Sequence, residues 1–396
     1  MANIKTDIVQ PFDSNGRLGM IVYSPDDQRR YGESFFSNNM GQGPGAVAWL
    51  AGNTVGSGKR DIIQLFDSNG RLGMIVYSSL PEGGYNVSFS SGDMGQGAAA
   101  IAWFTGKETV SRRTEIIQLF DSNSRLGMIV YSPDDQGRYS VSFASGDMGH
   151  DTDAIAWLSG ETTGFGTDII QLFDSNGRLG MIVYSPVPHP VPVFSRLGYR
   201  ETFFSNDMGQ GPGAIAWLTG DTTGIGKTDL IQLFDSNGRL GMIVYSSLRQ
   251  GGYDVSFSSG DMGHSTDAIA WLTSNTIGPA SSGKADIIQL FDSNSRLGMI
   301  VYSSDDQGKY RESFFSSDMG QGPGAIAWLT GQFRPTATSI VESNIIQLFN
   351  NNGRLGMIVY SSLPQGGYDV SFSSGDMGHN ADAIAWLSEV RFDLTV

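Results

Sequence analysis

The stretch FDSNGRLGMIVYS, residues 66–78, recurs almost letter for letter at 173–185 and 234–246. Its centre, Asn69-Gly70, is a strong hairpin signal, because both central residues of a type I′ turn need a positive φ. The runs on either side, DIIQLFD (61–67) and RLGMIVYS (71–78), are apolar and rich in β-branched residues, and read as the two strands the turn joins. Two copies carry Asn-Ser instead, at Asn123-Ser124 and Asn294-Ser295, where a strained or differently shaped turn is expected. Gly19, Gly73 and their equivalents interrupt the second strand of the hairpin, which points to a bulge or a close backbone approach.

Working outward, the hairpin is one part of a longer unit. Aligning on the glutamine of IIQLF gives Gln10, Gln64, Gln118, Gln171, Gln232, Gln289 and Gln347. Aligning on the tryptophan of AIAWL gives Trp49, Trp103, Trp157, Trp217, Trp271, Trp328 and Trp386, which are all seven tryptophans of the chain. Successive anchors lie 53 to 61 residues apart, so no copy is missing. A period of this size marks a solenoid, propeller or array, in which one unit cannot bury its own apolar face. The length of 396 residues would by itself predict two or three domains. The repeats predict one instead, with copies at about 7–52, 61–106, 115–160, 168–220, 229–274, 286–331 and 344–388.

Two more strands complete each unit. GYDVSFSS alternates Tyr, Val and Phe with polar residues, as a half-exposed sheet does, and DAIAWL alternates small and large side chains. No segment has a capped helical period. The expected fold is all-β: a seven-bladed β-propeller of four-stranded blades, with the small-residue AIAWL strand nearest the crowded axis. Because the chain starts at a hairpin and ends just after Ala383–Leu387, the last AIAWL is expected to complete the first blade, closing the ring by pairing N- and C-terminal segments. The tail VRFDLTV (390–396) has strand character and no assigned place.

The formal net charge of −15 argues against nucleic acid or an anionic membrane surface as partner, since both need a positive field. The absence of cysteine excludes disulfides and thiolate chemistry. The first residues lack the apolar core of a secretory signal, and no apolar run reaches membrane-spanning length. A soluble protein, cytoplasmic or released without a signal peptide, is expected; the one sequon, Asn86-Val87-Ser88, is too little to argue for secretion.

Candidate binding residues lie in the loop before AIAWL. Six copies carry Asp-Met-Gly there, at Asp93, Asp147, Asp207, Asp261, Asp318 and Asp376, and the first has Asn39. Gln follows in four copies (Gln42, Gln96, Gln210, Gln321), and His in three (His150, His264, His379), the latter with Asp153, Asp267 and Asp382 three residues on. A carboxylate beside Gln or His, on a Gly-flanked loop where blades meet, is the equipment for recognising vicinal hydroxyls. Tyr85, Tyr139, Tyr253, Tyr368 and the tryptophans would offer flat apolar faces to a sugar ring. The plainer alternative makes Asp a turn cap and Trp core. DSNGR has the oxygens of a partial calcium loop, but lacks the full ligand spacing and reads as a turn. Its arginine (Arg17, Arg71, Arg125, Arg178, Arg239, Arg296, Arg354) is expected to pair with the hairpin's own Asp.

No asymmetric acid–base or nucleophile constellation is present, and three of the four histidines share one repeat slot, the fourth being His189 in a proline-rich insertion. The expectation is a non-catalytic protein needing no cofactor or metal. Near-identical weak sites instead gain by engaging one multivalent surface together, by roughly a hundredfold to ten-thousandfold. The unit AIAW…IIQLFDSNGRLGMIVY resembles the blades of propeller lectins, including the fungal fucose-binding kind, and LFDSNGRL is similar to the hairpin of tachylectin-type propellers. That resemblance implies a propeller and a glycan-binding agglutinin. Anchored on Asn69-Gly70, the Arg and Glu that hold fucose in that kind fall on Ile62 and Met74, so no binding residue is carried over. The expected function is therefore multivalent carbohydrate binding at blade junctions, through Asp93, Gln96, Asp147, His150, Asp207, Gln210, Asp261, His264, Asp318, Gln321, Asp376 and His379. The alternatives are a protein-interaction scaffold and, third, a propeller enzyme.

Overall fold

A computed structural model describes residues 3–55, 61–80, 84–107, 113–162, 166–188, 197–248, 252–275, 283–305, 307–334, 341–363 and 366–393. His189 lies outside them, as does most of the second insertion. Among the described residues there is no helix; the strands form seven antiparallel sheets of four. Blade two shows the pattern: an inner strand Ala48–Gly52, the hairpin Asp61–Ser68 and Arg71–Ser79, and an outer strand Tyr85–Ser91, in that spatial order. The inner strands of neighbouring blades approach one another around the axis.

The core is shared between blades. Blades one and two, for example, enclose Val9, Leu18, Met20 and Val22 from one side and Ile62, Ile75, Tyr77 and Tyr85 from the other. Six more clusters repeat this at the successive junctions, and the last joins Ile8, Tyr23 and Tyr31 of blade one to Leu348, Met357 and Val359 of blade seven. Each fully buried aliphatic side chain contributes roughly 1.5–3 kcal/mol. One blade alone would leave its apolar faces wet, so only the closed ring satisfies the sequence. The tyrosines offered as sugar platforms belong to this core: Tyr85, Tyr139, Tyr253 and Tyr368 are all buried. The tryptophans are half-buried and pack against the same clusters.

Ring closure uses the tail. Leu387–Asp393 pairs antiparallel with Asn3–Asp13 in a register running from Val9↔Leu387 to Asn3↔Asp393. The last AIAW precedes this strand, and Ile384 N donates to Pro11 O at 2.8 Å. The segment without an assigned place therefore supplies most of the clasp.

The turns keep one shape throughout. Asn69 and Gly70 have φ of 55° and 82°, and at the Asn-Ser turns Ser124 and Ser295 adopt 66° and 64°. Strain, and not a different turn, is the outcome. The interrupting glycine answers a close approach: Phe66 faces Gly73 across the hairpin, and a Cβ on Gly73 would sit 2.2 Å from the Phe66 ring. The bulge lies one strand further out, where Ser88 has no partner in the register between Val76↔Phe89 and Tyr77↔Val87. Its hydroxyl bonds Ser78 Oγ at 2.7 Å and Val76 O at 3.3 Å.

Candidate functional site

The loop linking an outer strand to the next inner strand is held from both sides of a junction. In the first copy, Met40 N donates to Leu18 O and Leu18 N to Gln42 O, both at 2.8 Å, which fixes the loop to blade one. From blade two, Gln64 Nε2 donates to Gly43 O at 2.9 Å and Gly45 O at 2.7 Å, while its Oε1 accepts from Tyr77 Oη at 2.8 Å. All seven IIQLF glutamines are buried and make the same clamp; Gln118, for instance, holds Gly97 O and Ala99 O. Sequence reasoning used these glutamines only as anchors. An apolar strand with a single amide at a fixed place was the available signal, since a buried amide must find partners.

The Asp-Met-Gly carboxylates cap their own loops. Asp93 Oδ1 accepts Gly95 N at 2.7 Å, and Asp147, Asp207, Asp261, Asp318 and Asp376 do the same with Gly149, Gly209, Gly263, Gly320 and Gly378. The capped glycine has positive φ, 81° at Gly95, a conformation an L side chain resists. Five of the hairpin arginines reach these carboxylates: Arg125–Asp147, Arg239–Asp261 and Arg354–Asp376 each close to 3.1 Å, with Arg178–Asp207 at 3.8 Å and Arg296–Asp318 at 3.7 Å. The backbone N–H bond, aided by Arg, holds Asp147, Asp261 and Asp376 below the usual carboxylate range. Pairing of Arg with the hairpin's own Asp is therefore corrected. That carboxylate is engaged by its turn, as Asp67 Oδ1 is by Gly70 N at 2.6 Å.

Gln and His in the next position create two kinds of junction. His150 Nε2 lies 2.6 Å from Glu201 Oε2 on the outer strand of blade four, and its ring stacks on Phe204 at 5.1 Å. Phe204 in turn stacks on Phe173 at 6.2 Å. His379 repeats this with Glu33, Phe36 and Phe12, and His264 with Glu312, Phe315 and Phe291. Blades four, one and six thus cover their hairpin Phe with a second Phe and a His.

At the other junctions the cover is missing. The register places Ser90, Ala144, Ser258 and Ser373 where Phe36, Phe204 and Phe315 stand, and Val87, Val141, Val255 and Val370 in place of the glutamates. A groove of about 400 Å³ opens there between blades one and two, lined by Gln42, Gly45, Val47, Gln64, Phe66 and Ile75 among others. Its counterpart between blades six and seven, about 450 Å³, is lined by Gln321, Ile326, Phe349 and Asn350. Gln96 with Phe120 and Gln210 with Phe234 hold the same positions at the two remaining junctions. The side-chain amides of the four loop glutamines bond no described residue. A separate cleft of about 600 Å³ runs between the outer strands of blades five and six, past Asp261, Lys309, Arg311 and Glu312.

Asp61, Asp168 and Asp229 are carboxylates whose pKa burial raises, above what their threonine partners offset. They lie sealed at the far end of the second strands, bound to Thr54, Thr162 and Thr222. Among the described residues no cluster of three or more His, Asp or Glu could hold a metal ion, and no helix is long and apolar enough to cross a membrane.

No family model and no curated protein matches the chain. Among solved structures it is similar to an Agrocybe aegerita lectin described as specifically recognising non-reducing terminal N-acetylglucosamine. The alignment has a TM-score of 0.59 and 13% identity, covering 99% of this chain and 95% of that one. The resemblance to propeller lectins is one of architecture. An exo-inulinase of Aspergillus awamori also aligns, over 98% of this chain and 96% of its own, at 10% identity and a TM-score of 0.26, too low to carry an argument.

Proposed function

We propose that this protein is a multivalent carbohydrate-binding protein that works without catalysis. The observation that carries the reading is the groove between blades seen at two junctions, in which an amide with no described partner, on a doubly anchored loop, stands beside the hairpin phenylalanine. An aromatic ring accepts the C–H face of a pyranose, and an amide offers one acceptor and two donors to its hydroxyls or acetamide. The lectin fold of the Agrocybe aegerita neighbour supports the class and makes N-acetylglucosamine the first sugar to try. Within the Asp–Gln pairs, the Asp frames the loop and the glutamine faces the ligand, whereas the histidines are taken up by Glu and Phe of the next blade. The net charge of −15 suits glycans as partners better than polyanions. Against an enzyme stands the placement of Asp61, Asp168 and Asp229, whose raised pKa comes from burial at a repeated position closed to substrate, while Glu342, also raised, is paired with Arg29.

The test is agglutination of erythrocytes, with reversal by free N-acetylglucosamine or by the sugar a glycan array selects. Agglutination that a simple sugar reverses is the expected result. A blank array at high protein concentration, with no agglutination, would favour the scaffold reading.

A further inference from the structure

The ring has seven junctions of similar sequence, but they are not seven equal sites. Three are filled. At the junctions of blades three and four, five and six, and seven and one, the face of the hairpin Phe is stacked by a second Phe and then a His, whose outer nitrogen is held by Glu. At the other four the cover is absent, with Ser or Ala where the second Phe stood and a Gln whose amide has no described partner, and a groove is seen at two of them, between blades one and two and blades six and seven.

We infer that the chain carries four binding positions, at the junctions of blades one and two, two and three, four and five, and six and seven, each for a neutral pyranose. This rests on the carbohydrate-binding reading above and divides its sites. The ligand class follows from the lining. No Lys or Arg borders either groove, so an acidic sugar has no counter-charge there. One groove has Asp67 and the other Asn350 at the same rim position, so a carboxylate is not required of the site. The volumes of about 400 and 450 Å³ suit one sugar ring with part of a second. The three filled junctions then act as braces, tying a loop of one blade to the outer strand of the next.

The inference predicts both loss and gain of a site. Titration calorimetry with the methyl glycoside of N-acetylglucosamine, or of the sugar the array selects, should give four sites per chain. The triple variant Gln42→His/Val87→Glu/Ser90→Phe rebuilds a filled junction between blades one and two, and should bind three. The reverse set, His150→Gln/Glu201→Val/Phe204→Ser, uncovers Phe173 and should bind five. Thermal melts show whether each variant is folded, and a crystal of the unaltered protein soaked in the same glycoside gives the positions directly. Sugar density at four open grooves is the expected picture. Seven sites, three sites at the histidines, or density only in the outer cleft of blades five and six would overturn the allocation while leaving carbohydrate binding intact. Absence of any saturable binding would overturn the underlying reading as well.

Discussion

Gln64 shows how much one residue decides. Its amide is 1% exposed and satisfies two loop carbonyls and a buried tyrosine hydroxyl at once. Gln64→Met keeps the volume and removes every partner, leaving three polar groups without a bond. Orphaned buried groups cost about 1–3 kcal/mol each when no water reaches them, so a loss of roughly 2–4 kcal/mol in denaturant unfolding is expected. On the proposed function the same variant should also lose sugar at the junction of blades one and two, because the loop carrying Gln42 is no longer anchored from blade two. Unchanged stability would mean the loop holds itself. A second test concerns the turns. Ser124 sits at φ 66°, where a Cβ is unfavourable, so Ser124→Gly should raise the stability by about 0.5–1 kcal/mol and Gly70→Ser should lower it comparably. Paired thermal melts decide this, and equal midpoints would show that the turn relaxes around either residue.

Among the elements, the closing strand stands apart, because its hydrogen bonds alone keep the first blade from ending in a bare edge. Truncation after Trp386 would strip the partner from Asn3–Val9, and an unpaired edge invites pairing with other chains. The truncated chain is expected to unfold at a markedly lower temperature and to form soluble aggregates visible by size-exclusion chromatography; a monomer with an unchanged melt would contradict the clasp. The hairpins were legible in the sequence because their causes are local. Asn-Gly sets the turn, β-branched runs set the strands, and seven copies set the ring. Each internal inner strand uses the AIAWL motif, so the motif alone points to AIAWL as the clasp, whereas the closing strand starts at its Leu387 and runs on to Asp393. The division of the junctions was also written in the sequence, since every MGH copy is followed by a Glu-Ser/Thr-Phe-Phe strand and every MGQ copy by a Val-Ser-Phe strand. The repeat pattern alone does not reveal it, because the residues that meet belong to neighbouring blades and lie far apart in the chain, 51 residues from His150 to Glu201 and 346 from His379 to Glu33. Only the register of the sheets shows which side chains face each other across a junction.

For the molecule as a whole, on the proposed function, the consequence of a rigid ring is that its sites act together on a surface and separately on a free sugar. Seven shared cores hold the blades at fixed angles, so the spacing between open grooves does not adapt to the ligand. Linking weak sites on such a frame multiplies affinity for a dense glycan surface by roughly a hundredfold to ten-thousandfold, provided several engage at once. On the proposed function, filling the grooves one at a time with the His/Glu/Phe set should leave affinity for the monosaccharide unchanged at each surviving site. The agglutination titre should meanwhile fall in steps, and steeply once fewer than two grooves remain, since one site cannot bridge two cells. If the ligand is the neutral pyranose inferred above, the titre should also hold between low salt and about 0.5 M, where the Debye length is only a few ångströms. Binding to a glycan surface that vanishes on filling one particular groove and is unmoved by filling the other three would instead mean that this junction does all the work. In that case the other copies serve only to close the ring, and multivalency is not the reason for the repeats.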